Sequence, residues 1–527
     1  MWLLWLALFS EKPPRTRWWA WLGFALCLGG SLWAYETARA TAGAVVVFGL
    51  FFAATDRRRL RQRGVWFAAA LGLGLALAAP HLLDPAAWQR SATLATTLNE
   101  FKAGNIQPLL NTSLQALGTV TIEGDPFITY NVPGRPVLDW APGLLFYGGV
   151  VLCLLRWRRP AYAFTLMWLG VGILPSMIVG AWNCTLHSMG MQSVVFVPPA
   201  LCAVEIGRWA GRRWGRGLER AASVTLAALI LLSGLFTFRD YFLRWGEWPE
   251  VRAAYFQNLA AITGYLNDTD HEGAVALSSP FPDIPLDPFI GDLRIQRDDL
   301  ALRWFDARRA IVFPAAESSL LILPPNTPLE PRFAGRLQLQ LIERVDLRAD
   351  DVDPYFDVYE WDSIADAQRF VSSQEDTVEA GGEALPLPVS FGAVELVAYE
   401  LLESAACPGE TVTLVTLWCV IDPELLGPVP PEDYGHELAL FVHALDAANN
   451  VVGQEDRLDV PAWNWQAGDH LAQLHVFELD PAAEPGTYRL EMGLYNRRDL
   501  ARLPVIVDGA AVDTQVRLQP LEGTCGD

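Results

Sequence analysis

The chain has 527 residues, too many for one compact domain, and it is 52% hydrophobic while carrying a net charge of −21. That charge is split unevenly: residues 1–243 hold 21 Lys and Arg against 11 Asp and Glu, whereas residues 244–527 hold 18 against 49. A basic, apolar half joined to a strongly acidic half excludes a uniformly soluble chain and argues against nucleic acid as a partner.

A membrane-spanning helix needs about 20 mainly apolar residues. Residues 18–35, 41–54, 64–83, 141–157, 161–180, 193–210 and 221–243 fit, with 41–54 short enough to need flanking residues. Arginine-rich clusters occupy 12–17, 57–63, 156–159 and 208–220. Basic residues favour the cytoplasmic side, and placing all four clusters there makes every intervening apolar segment alternate without contradiction. The sequence therefore predicts external positions for 36–40, the long loop 84–140, the turn 181–192 and everything from 244 onward. Residues 1–9 then read as the end of a helix coming inward. Either they lie in the interface or an N-terminal portion is missing.

The long loop contains 108–117, apolar at helical spacing. This predicts a helix, lying on the membrane surface or packed within the loop. Residues 124–140 follow, a polar run punctuated by Pro and Gly between two apolar blocks. Irregular backbone has no hydrogen-bond partners in lipid, so this run belongs outside the bilayer at the mouth of the bundle.

In the tail, a helix over 248–266 and strands at 274–278, 302–305, 310–313, 320–323, 337–345 and 356–361 predict an α/β domain spanning 244–361. Residues 362–387 read as a linker. Strands at 391–402, 411–420, 438–445, 474–479, 488–495 and 512–518, with Pro-Gly turns at 408–409 and 485–486, predict a β-sandwich over 388–527 that folds alone. The tail has no Gly-rich phosphate loop and no nucleophile elbow. Asp298-Asp299 and Asp350-Asp351 read as solvated turns. Trp463 and Trp465 either pin a loop or stack on a sugar face. The seven cysteines form no Cys-x-x-Cys pair and no metal-ligand set with histidine. Among Cys407, Cys419 and Cys525 one disulfide is open to formation.

An ordered set of residues in the first half carries a resemblance. It comprises Leu32-Trp33-Ala34-Tyr35-Glu36-Thr37-Ala38-Arg39, then Gly124-Asp125-Pro126, Asn131, Pro133-Gly134-Arg135-Pro136 and Leu138-Asp139. Leu174-Pro175 and Pro198-Pro199-Ala200-Leu201 complete it. Over about residues 1–243 this set resembles bacterial multi-spanning glycosyltransferases related to the protein O-mannosyltransferase and aminoarabinose transferase group. The resemblance implies a partial GT-C-like bundle in the plasma membrane. It implies a sugar donor on a polyprenyl-phosphate carrier, met on the outer face, and a glycan, lipid or protein acceptor, with no metal or other cofactor. In that family the catalytic carboxylate sits in an external loop upstream of the helix resembling 18–35. This chain then reads as the C-terminal part of such an enzyme, with no transfer expected from it alone; an alternative is that it works only with a separately encoded N-terminal half. It departs from the pattern at Glu36, where relatives tend to have proline. It departs again at Cys184 and His187, where they often have histidine and arginine.

The candidate site residues each have two readings. Arg39 would contact the donor phosphate, since a guanidinium matches phosphate oxygens in fork geometry, or would snorkel to headgroups. Glu36 is a weak candidate base or an ion-pair partner of Arg39, and Tyr35 stands beside it. Arg135 would hold Asp125, Asp139 or a ligand phosphate. Asp125 is placed to start a turn and Asp139 to cap the following helix. Asn131 belongs to the set by resemblance, and His187 would lie near the carrier entrance or on the surface. A reading from another class is a non-catalytic, membrane-anchored envelope protein displaying a carbohydrate- or protein-binding sandwich.

Overall fold

The computed structural model describes residues 2–9, 17–34, 38–85, 87–88, 92–93, 95–179, 185–284, 286–370, 377–429 and 435–523. It divides into two units, Met1–Val251 and Arg252–Asp527.

The first unit is helical. Its principal helices are Trp2–Phe9, Trp18–Ala34, Arg39–Thr55, Arg57–Leu83, Gln107–Gly118, Trp140–Leu155, Pro160–Ile178, Val197–Trp214 and Arg216–Phe238. Among the described residues, four helical stretches are long and apolar enough to cross a membrane: Arg61–Leu83, Pro160–Ile178, Leu186–Trp214 and Arg216–Glu247. Arg39–Thr55 and Trp140–Leu155 are apolar but shorter. Small residues let these helices approach closely. A Cβ on Gly149 would stand 1.9 Å from the carbonyl oxygen of Pro198, so Trp140–Leu155 and Val197–Trp214 touch backbone to backbone. Gly29 and Gly74 serve the contact between Trp18–Ala34 and Arg57–Leu83 in the same way. Trp21, Phe24, Phe48, Phe52 and Phe164 fill one core of this unit. The helix Arg216–Phe238, by contrast, buries none of its residues and exposes Leu231 and Leu235. An apolar helix left open on that scale calls for a non-aqueous surrounding.

The second unit begins with strands β1 Gly273–Ser278, β2 Leu300–Phe305, β3 Ala310–Phe313, β4 Ser319–Leu323, β5 Gln340–Asp346 and β6 Tyr355–Trp361. Five of them form a sheet in the order β2-β1-β4-β6-β5, with β2, β1 and β4 parallel and the other two antiparallel. Successive side chains on a strand point to opposite faces. Thus Val275, Leu277, Leu320 and Ile322 pack under the helix Gln257–Asp268, while Ala276, Phe305 and Leu321 face a second, larger core.

That larger core belongs to two further sheets. They are built from β7 Thr377–Ala380, β8 Glu383–Pro386, β9 Val389–Ser390, β10 Val394–Leu401, β11 Thr411–Val420, β12 Leu438–Leu445 and β13 Val451–Arg457. The remaining strands are β14 His470–Glu478, β15 Thr487–Asn496, β16 Val505–Val507, β17 Ala510–Asp513, β18 Val516–Arg517 and β19 Leu521–Glu522. One sheet runs β17-β16-β9-β10-β11-β14-β3 and the other β13-β12-β15-β18-β7-β8, with β19 beside β15. Leu414 and Trp418 from the first meet Leu440, Leu490 and Met492 from the second in one buried cluster.

Two expectations about domain boundaries change here. Strand β3, expected within an α/β domain ending at 361, leaves its neighbours and pairs antiparallel with β14. The stretch 362–387, expected to be a linker, contains the helix Ser363–Phe370 and the hairpin β7–β8, which extends one of the later sheets. The isolated segment 388–527 therefore lacks three strands of its own sheets. The buried pair Arg303–Asp469 also joins β2 to the start of β14.

Candidate functional site

Contacts within the first unit sort its polar residues to two ends. Arg63 donates to the carbonyl of Ala7 at 2.6 Å, and Arg59 lies over the ring of Phe9. Phe51 meets Trp157, and Arg156 and Arg208 share Glu205 at 3.1 and 3.3 Å. The arginine-rich segments 57–63, 156–159 and the start of 208–220 thus occupy one end. At the other end Thr96 donates to the carbonyl of Val179 at 2.9 Å, and the loop 119–139 lies against the last helix.

That loop is the candidate site. Its backbone closes on itself, with Gly124 N–H donating to Gly134 O and Gly134 N–H to Asp125 O. A Cβ on Gly124 would fall 1.6 Å from the Arg135 oxygen, so only glycine fits there. Asp125 is buried and accepts from the Phe127 amide at 2.8 Å, which makes it a turn residue. The loop continues into a stretch tied to the end of Gln107–Gly118 by Val137 and Leu138, whose amides donate to Thr119 and Val120.

A set of polar side chains then fastens the loop to the last helix. Tyr241 donates to Asn131 Oδ1 at 2.7 Å, and Asn131 itself donates to Arg135 O at 2.7 Å. Arg135 donates to Thr237 at 3.0 Å and pairs with Asp240 at 3.4 Å and Asp139 at 4.0 Å. Ser233 donates to Asp139 at 3.0 Å, and Trp245 Nε1 to Ile128 O at 2.9 Å. The helix widens into a π-helical turn at Arg239–Arg244, where Asp240 and Tyr241 reach the loop. Such turns change which side chains share a face. Asp139 stands at the N-cap position of Trp140–Leu155, but its carboxylate accepts no amide of that helix. The capping expectation for Asp139 is corrected: its oxygens are taken by Ser233 and Arg135.

The remaining candidates are placed apart from this network. Arg39 donates to the carbonyl of Ala87 at 2.8 Å and lies 4.2 Å over the ring of Trp88. His187 lines a cavity of about 10 Å³ with Thr41, Trp168 and Pro175, room for roughly one water. Tyr35, Glu36 and Cys184 lie outside the described residues. Sequence reasoning missed Ser233, Thr237, Asp240 and Tyr241. They fall at the end of an apolar segment, and Asp240 was the signal that this end is polar.

In the second unit, Trp465 is buried and donates to Val460 O at 2.9 Å, which pins its loop, while Trp463 is half-buried. Asp350 and Asp351 are not free turn residues, since both pair with the buried Arg252. His475 is wholly buried, and burial, with Arg457 and Arg309 nearby, pushes its pKa down to about 3. Its Nδ1 lies 3.8 Å from Glu455, whose own carboxyl is pushed up by burial. Cys407 is disulfide-bonded. Among the described residues, no group of three or more His, Cys, Asp or Glu could hold a metal ion.

No protein-family model matches this chain, and no curated protein matches it. Matching solved structures include the crystal structure of the C-terminal domain of wzt, at 9% identity and a TM-score of 0.17. That match covers 25% of this chain and 71% of the other.

Proposed function

We propose that the first unit is a multi-pass bundle integral to the plasma membrane, with its arginine-rich end in the cytoplasm. The loop 84–140 and the acidic tail then lie outside, where the tail's paired sheets form a β-sandwich backed by an α/β layer. The sorting of arginine segments to one end supports this orientation. So does the disulfide at Cys407, because such bonds persist in oxidising compartments. The helix Gln107–Gly118 exposes Leu110, Leu114 and Leu117 on one side, which suits a helix resting on the outer interface.

Within that frame the chain is the membrane part of a GT-C-type glycosyltransferase working on a polyprenyl-phosphate-linked sugar. The carrying observation is the polar assembly of Asn131, Arg135 and Asp139 on one loop, locked to Ser233, Thr237, Asp240 and Tyr241 at the end opposite the arginines. A rigid polar rim around a bundle mouth is what a lipid-linked polar headgroup requires. Arg39 is the donor-phosphate ligand in this reading.

The second reading, an anchor that displays the tail without transferring sugar, is favoured by a specific observation. Arg39 and Arg135 already have protein partners, in the Ala87 carbonyl and in Asp139 and Asp240. Binding of a 55-carbon polyprenyl phosphate to the full chain in nanodiscs separates the two. A hydrogen bond to a charged group is worth roughly 1.5–3 kcal/mol, so Arg39→Ala should weaken carrier binding about tenfold or more. Arg39→Lys should fall between, since it keeps the charge without the fork. Equal binding by all three proteins, at an unchanged melting temperature, leaves the anchor reading standing.

A further inference from the structure

A further cavity lies in the second unit, apart from the candidate site and sharing with the residues considered above Trp463 and Arg457. It is a cleft of about 680 Å³, within the range of roughly 300–1,000 Å³ typical of small-ligand sites. One wall is Asp283 and Ile284, in the loop after β1. The other comes from the segments entering β12, leaving β13 and leaving β15, which bring Glu437, Asp459 and Arg497.

The second wall is held to the neighbouring strands β2 and β3. Asp306 N–H donates to Asp459 O at 3.0 Å, Asn464 donates to Trp304 O at 2.9 Å, and β3 is hydrogen-bonded into the sheet of β14. A site with one wall fixed in this way loses less freedom when it is filled.

The lining groups differ in how far they are already engaged. Arg457 and Asp459 pair with each other at 2.6 and 2.7 Å, and His436 meets Gly427 O at 3.0 Å. Among the described residues, the carboxylates of Asp283 and Glu437 and the guanidinium of Arg497 make no ion pair or side-chain hydrogen bond. They nonetheless stand within Coulombic reach of one another, and burial, reinforced by Asp459 and Glu437 and opposed by Arg497, pushes Asp283 upward. Carboxylates and arginines nearly balance along the lining, so the cleft carries little field for a strong anion or cation. Converging acceptors and donors beside a half-buried indole suit a molecule with many hydroxyls, each able to donate and accept, and with apolar ring faces.

We propose that this cleft binds a short segment of neutral oligosaccharide, with Asp283 and Glu437 accepting from its hydroxyls, Arg497 donating to its oxygens and Trp463 lying along a ring. This site is separate from the membrane mouth and stands whether or not the carrier binds there.

The test uses the full chain in nanodiscs, first on an array of neutral glycans and then by calorimetry with the free oligosaccharides that bind. Pentalysine is run beside them. Glu437→Gln and Arg497→Ala are expected to weaken glycan binding about tenfold or more each. Glu383→Gln, on an exposed hairpin outside the cleft, should leave it unchanged, and melting temperatures report whether the variants are folded. Binding of pentalysine without any glycan would assign the cleft to basic protein segments instead. Failure of every neutral glycan, or glycan binding indifferent to both cleft variants, would equally overturn the proposal. Polyprenyl-phosphate binding, measured on the same preparations, reports on the membrane site independently.

Discussion

His475 is a base buried where a proton would bring uncompensated charge. Its pKa is about 3 when folded against 6.5 for an ordinary histidine, so between those values the unfolded chain binds the extra proton. Its contribution to stability is therefore intact above about pH 6.5 and is lost as the pH falls toward 3, at up to roughly 1.4 kcal/mol per pH unit. The raised carboxyls of Asp287 and Glu455 act in the opposite direction, so the residue must be read by difference. Between pH 7 and pH 4.5, the stability of the wild-type tail should fall more steeply than that of His475→Gln, as measured by denaturant unfolding of the full chain. Parallel profiles would mean that His475 does not govern acid lability. Nothing in the sequence marked this histidine. Alternation puts Leu474 inward and Gln473 and His475 outward, but Asp459 and Glu455, on or beside β13, cover that second face.

At the scale of elements, the loop 124–139 is held by side chains from a helix a hundred residues away in sequence. Tyr241→Phe removes one neutral hydrogen bond, worth about 0.5–1.5 kcal/mol. It should speed amide exchange in the loop by roughly two- to tenfold, and Arg135→Ala should do so more strongly because it removes the bond to Thr237 and the ion pairs to Asp240 and Asp139 together. Exchange in β11 and β14 serves as the internal control. If loop exchange is unchanged in both variants, the closed backbone of Gly124–Gly134 holds the loop without the helix. The helices were legible from apolar runs, and the polar loop from its prolines and glycines. The fastening was not, because a long-range pair such as Asn131–Tyr241 leaves no local pattern. Strand β13 was missed because Val451–Arg457 is an edge strand whose outer residues are polar and charged. The hairpin β7–β8 left a signal that went unread: Gly381-Gly382, both at positive φ, is a two-residue turn between short alternating segments.

For the whole molecule, the orientation proposed above predicts that reporter fusions after Ala210 and after Trp361 give cytoplasmic and external signals respectively. The reverse at either site would overturn it. The orientation rests on arginine counting, in which four clusters agree at once. The division of the tail was misread because strand prediction names strands and not their partners. That misreading concerns β3, and it bears on how the tail is made. If the tail crosses the membrane from its N-terminal side, Ala310–Phe313 emerges long before His470–Gln473, the segment it must pair with. Until then an apolar strand waits with an open edge, a template for aggregation unless it is shielded. Export of this protein would therefore depend on a chaperone at the exit side, and a nonsense mutation between β6 and β14 should yield an aggregated product even though the α/β strands are all present.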